Sequence, residues 1–129
     1  MKTTFIAILI IALSLGAFFL FAPDYQKDKL VGLVTAGTDE RKCFNLYKED
    51  FRDPSTAYLV DSYIWTREDE LKYLPNNIAP VFEEHEAVLL VSAQAKNGFG
   101  AYGQVYLECP LKDGRFDRHT AAMWRISNL

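Results

Sequence analysis

The first 23 residues contain no acidic side chain, and no basic residue stands between Lys2 and Lys27. A helix on the surface of a water-soluble domain needs one solvated face, and this stretch offers none. Cysteine is scarce, with only Cys43 and Cys109, and so is histidine, with only His85 and His119. Two thiols cannot build a zinc site alone, and these two stand too far apart in sequence for a C-x-x-C redox motif. G-x-S-x-G, H-E-x-x-H and glycine-rich phosphate loops are missing, so few nucleophile–base pairings remain. Basic excess is missing too: 14 Lys and Arg stand against 17 Asp and Glu, a formal net charge of −3. That lacks the electrostatic footprint of a nucleic-acid binder, and nucleic acid is not expected as a partner. No internal repeat and no low-complexity tract breaks the chain. With 129 residues, half of them apolar and 14% aromatic, there is enough chain for one folded domain and not for two.

The most distinctive positive feature is the apolar run at residues 5–22, where Ser14 is the one polar side chain. As a helix it would span about 27 Å, close to the roughly 30 Å hydrocarbon core of a bilayer. Lys2 precedes it, and Asp24, Lys27, Asp28 and Lys29 follow. A retained signal-anchor and a cleaved signal peptide share this layout. Cleavage after Ala22 would need Leu20 at a small-residue position and Pro23 directly after the cut. Cleavage after Gly16 would leave Ala17-Phe18-Phe19-Leu20-Phe21 on a soluble protein. The retained anchor is therefore the favoured reading, and the cleaved signal its alternative. No cysteine ends the run, which excludes a lipid-modified N-terminus. The expected address is a bacterial inner membrane, crossed once, with the C-terminal domain in the periplasm or outside; cleavage would make it periplasmic or secreted.

In an exported protein, two cysteines default to a disulfide. A Cys43–Cys109 bridge would close a loop of about 66 residues and restrict the unfolded chain by roughly 4 kcal/mol on the loop-entropy model.

Along the chain, residues 1–22 form the apolar segment, 23–37 read as a tether, and 38–129 as the exported domain. Thr38 or Asp39 can cap a helix with Asp39 and Glu40 in its first turn. Cys43, Leu46, Tyr47 and Asp50 share one of its faces, with Phe44, Tyr47 and Phe51 adjacent, and Pro54 ends it by about Arg52. Residues 56–66 read as a strand rich in β-branched and aromatic residues. Residues 67–85 are a polar excursion, with one or two helical turns over 67–74, ended by Pro75-Asn76-Asn77. Ala87, Leu89, Val91, Ala93 and Ala95 then alternate as a strand, and Asn97-Gly98-Phe99-Gly100 is the hairpin signal. Beyond it Ala101, Gly103, Val105, Leu107 and Cys109 alternate with Tyr102, Gln104, Tyr106 and Glu108, which puts Cys109 on the smaller, core-facing side. Lys112-Asp113-Gly114 marks a second turn. Residues 120–127 read as a last strand with Ala122, Trp124 and Ile126 on one face. The fold class expected is α+β: an apolar N-terminal helix, then one helix packed on a four-stranded antiparallel sheet.

Two stretches carry a resemblance. Asp53-Pro54-Ser55-Thr56-Ala57-Tyr58-Leu59 is similar to a D-P-x-S-A-x-F phrase, with Thr56 in place of serine. Gln94-Ala95-Lys96-Asn97-Gly98-Phe99-Gly100-Ala101-Tyr102 is similar to N-A-K-N-x-F-G-G-Y. Both resemble a widespread set of small exported bacterial proteins with no assigned activity. The resemblance covers under a fifth of the chain and implies an exported α+β domain and no chemistry. Members often place a cysteine seven residues before that asparagine, where this chain has Leu90, so its cysteine pairing departs from theirs.

Glu83-Glu84-His85-Glu86 is the densest group of ligand types, but a strand would set His85 opposite Glu84 and Glu86. It reads as a solvated strand entry, and no metal or cofactor is expected. His119 has Asp117 nearby, yet no catalytic residue stands out. The favoured functional residues are Phe99, Tyr102 and Tyr106 with Lys96 and Asn97, an aromatic patch for an envelope protein partner. The bland reading of the same residues is a tight hairpin. The expected role is a non-enzymatic interaction module; a small periplasmic hydrolase with paired carboxylates and a ligand-binding domain are the alternatives.

Overall fold

The computed structural model describes residues 1–66 and 87–127. The polar excursion over 67–85, its helical turns and the Glu83-Glu84-His85-Glu86 cluster fall outside the described residues.

The apolar run folds as α1 (Lys2–Phe21), none of whose membrane-length window is buried by the rest of the chain. Over Thr3–Phe21 it is long and apolar enough to cross a membrane, as a span or as a signal sequence. Its one hydroxyl is satisfied locally, because Ser14 donates to the Ile11 carbonyl at 2.9 Å. Extended backbone at Ala22 and Pro23 breaks the helix. The residues read as a tether are themselves mostly helical, forming α2 (Asp24–Thr35) with Pro23 at its N-cap. Proline suits that position because its missing N–H would have had no helical partner.

Helix α3 (Asp39–Lys48) starts where its capping signal stands: the Thr38 side chain accepts the Arg41 N–H at 3.4 Å. It ends earlier than Pro54 alone requires, with Asp50 and Phe51 N–H groups closing turns on Tyr47 and Lys48 carbonyls. Strands β1 (Tyr58–Thr66), β2 (Ala87–Lys96), β3 (Tyr102–Lys112) and β4 (Arg115–Phe116) form an antiparallel sheet in that order. Asp113 and Gly114, both at positive φ, make the two-residue turn between β3 and β4. Such primed turns match the right-handed twist of the strands they join.

One face of this sheet is the core. Cys43 and Phe44 of α3 pack on Leu89, Val91 and Ala93 of β2 and on Leu107, Cys109 and Leu111 of β3, with Tyr47 and Phe51 at the margin. Burying each large side chain contributes about 1.5–3 kcal/mol before the cost of ordering it. The Cys43–Cys109 disulfide lies fully buried here and joins helix to sheet, its Cα atoms 6.0 Å apart.

The last element corrects the expectation. Residues 120–127 are not a strand but part of α4 (Arg118–Ser127), which packs on α3 and β3 with Ala121 fully buried. The cause is Asp117. Its carboxylate accepts the His119 and Thr120 N–H groups and the Thr120 hydroxyl, while its carbonyl accepts the Ala121 N–H. That is a helix N-cap. The fourth strand is instead the two-residue β4, so the α+β class and the four antiparallel strands stand while two helices, not one, cover the core face.

Candidate functional site

The sheet's second face is built in rungs set by the pairing register. Tyr58, Gln94 and Gln104 stand side by side, then Asp61, Ser92 and Tyr106, then Tyr63, Leu90 and Glu108, then Trp65, Val88 and Pro110. Two tyrosines of β1 reach this face only because of a bulge. Pairing shifts by one between Leu59 and Asp61, so Leu59 meets Ala93 on the core side while Tyr58 and Tyr63 both turn outward. An extra residue in one strand has this effect on the alternation that follows it. Val88 and Pro110 are buried, so the face is closed at that end. From the next rung on it opens: Tyr63 and, farther along, Tyr102 are about half exposed, Tyr106 is 62% exposed, and Phe99 at the hairpin tip is 99% exposed.

Of the residues singled out in the sequence, Tyr102 and Tyr106 do share this outward face, four residues apart on β3. Their roles differ. The Tyr102 hydroxyl donates to the Thr56 carbonyl at 3.2 Å, and its ring meets Tyr58 edge-on with centroids 5.6 Å apart. Lys96 covers the same ring at 5.6 Å and reaches Asp53 at 3.8 Å. Tyr106 has the greater exposure and the freer ring. Asn97 is committed to the turn, its side-chain oxygen accepting the Phe99 and Ala101 N–H groups at 2.9 and 3.1 Å. The left-handed residue of that turn is Gly100, at φ +80°, and not the Asn97-Gly98 pair. The loop therefore spans 97–101 and lifts Phe99 clear of the sheet, where a two-residue turn would hold it close. Sequence reasoning missed Tyr58 and Tyr63, because the bulge that orients them leaves no mark in the alternation.

Two titrating groups border the patch. Hydrogen bonds from the Ser55 and Thr56 hydroxyls, at 2.6 and 2.8 Å, hold the Asp53 carboxyl below its ordinary range, with Lys96 adding to the effect. Burial pushes the Tyr58 phenol up, and the Asp24 charge adds to it.

A second concavity of about 360 Å³ lies between α2 and β1. Asp24 and Asp28 both line it, which is the paired-carboxylate arrangement a hydrolase would use. Here each acid faces a cation. Asp28 gives both oxygens to Arg41 at 2.8 Å, and Asp24 pairs with Lys27 at 3.5 Å. In the first pair the Arg41 side chain is buried and the Asp28 side chain only 11% exposed, and the pair acts as a clamp between α2 and α3. The Arg41 Nε is buried without a hydrogen-bond partner, a cost that this clamp absorbs. Among the described residues no group of three or more His, Cys, Asp or Glu could hold a metal ion. No protein-family model, curated protein or solved structure matches this chain.

Proposed function

We propose that this protein is a non-enzymatic interaction module, held by its N-terminal helix at the outer face of a bacterial inner membrane, that contacts an envelope protein through its outward sheet face. The observation that carries the reading is the outer sheet face, where Tyr63, Tyr102 and Tyr106 are exposed, with Phe99 standing in water at the hairpin tip beyond it. Aromatic rings supply large contact area at small conformational cost, and clusters of them mark contact surfaces. Lys96 and Asp53 give the patch a charged border. Supporting the location are a helix of membrane length and a buried disulfide, which forms in oxidising compartments. The resemblance of residues 53–59 and 94–102 to exported bacterial proteins agrees with it.

The test is crosslinking in intact membranes followed by purification of the tagged full-length protein. Tyr106→Ala should keep the melting temperature of the wild type and lose the crosslinked envelope protein. A large drop in melting temperature would mean that Tyr106 is a packing residue and would end the reading. Mass spectrometry of the same sample reads the N-terminus, which separates a retained anchor from a cleaved signal.

A further inference from the structure

Helix α2 turns most of its apolar side chains away from the domain. A surface helix turns its apolar side inward and its charges to water. Here the domain side carries the Asp28 carboxylate, clamped by Arg41, and Gly32, where an added Cβ would lie 3.4 Å from the Arg41 guanidinium. None of its residues is buried. Val31 lines the concavity toward β1, whereas the other apolar residues point away: Leu30 is exposed, Leu33 is 78% exposed and Val34 is 88% exposed. Leu30, Leu33 and Val34 fall at i, i+3 and i+4, so they form one continuous outward surface. Lys29 stands one turn before Leu33 on that side of the helix. Lysines with long stems next to an apolar helical face suit the boundary between acyl chains and anionic headgroups.

The chain supplies that boundary directly. Only Ala22 and Pro23 separate α2 from the membrane-length helix α1, and both are extended, so α2 leaves the α1 axis at the end of the span. We infer that α2 is an interfacial helix, lying on the bilayer with Leu30, Leu33 and Val34 among the lipid chains while Asp28 and Gly32 hold the domain from the other side. The Asp28–Arg41 clamp then fixes the height and tilt of the domain above the membrane. The inference rests on α1 being retained in the bilayer.

The experiment uses the full-length protein in vesicles of phosphatidylcholine with a minor share of phosphatidylglycerol. Single added cysteines at Leu13→Cys, Leu33→Cys, Val34→Cys and Asp113→Cys are labelled with an environment-sensitive fluorophore, and nitroxide-bearing lipids serve as quenchers. Labels at 33 and 34 should emit to the blue of the label at 113 and be quenched by lipid nitroxide, as the label at 13 is. Water-like emission at 33 and 34, with 13 still in lipid, overturns the inference and leaves the anchor standing. Blue-shifted emission without lipid quenching means that a protein surface covers α2, and overturns it as well. A water-like label at 13 removes the anchor and the inference with it.

Discussion

Strand β3 presents one backbone to two environments. On one side Leu107, Cys109 and Leu111 are sealed under α3 and α4; on the other Tyr102, Gln104, Tyr106 and Glu108 are exposed. The buried side of the sheet also uses small residues, Ala93 and Ala95, which let a helix come down close and let a disulfide tie it there. The open side uses rings that stand up from the sheet. The difference is one of size as much as of polarity. The face of small side chains is covered by this chain's own helices, and the face of tyrosines stays exposed to solvent.

That contrast can be broken or sharpened by substitution. Phe44→Ala, on the sealed side, should cost the most, about 3–5 kcal/mol, measured by denaturant unfolding. Replacing both cysteines by serine should cost about 2–5 kcal/mol, because the bridge spans a long loop. Should either change leave unfolding untouched, the sealed face would not be the core. Tyr102→Ala should cost about 1 kcal/mol, through its bond to Thr56 and its contact with Tyr58. Tyr106→Ala should stay within about 0.5 kcal/mol. A cost for Tyr106 equal to that for Phe44 would erase the difference between the faces.

The smallest effect concerns pH. Asp53 has its folded pKa depressed by Ser55 and Thr56, so the stability it contributes is complete above the ordinary carboxylate value and is lost as pH falls through the folded one. Wild type should therefore be the more stable protein above about pH 4, and its advantage over Asp53→Asn should close as pH falls below that. Acid titration followed by circular dichroism reads this directly, and equal profiles for the two proteins would show that the Asp53 turn adds nothing to the fold.

Much of the fold is legible in the sequence. The apolar run, the Thr38 cap, the alternation of β2 and β3, the Asp113-Gly114 turn and the core-facing Cys109 all follow from local chemistry, because neighbouring residues determine them. What escaped were features decided by partners distant in sequence or by a single cap. Residues 120–127 alternate as a strand does, yet Asp117 starts a helix there, and its carboxylate outweighs the pattern. Val60 is bulged because β1 must pair with β2, and nothing in 56–66 alone announces it. Residues 23–37 read as a tether because the side chain that holds Asp28 is Arg41, thirteen residues on. At the site, Tyr102 and Tyr106 could be placed on one face from their spacing, whereas Asn97 looked like a contact residue and is occupied by its own turn.

In the proposed function, the open end of the outer sheet face contacts another protein. A photo-crosslinking residue placed at Tyr106 in living cells tests it most directly, with Asp113 on the far turn as the comparison. The account predicts one discrete adduct with an envelope protein from position 106, reduced when Phe99→Ala is added, and none from 113. Equal, diffuse labelling from both positions, or none from 106, would contradict it.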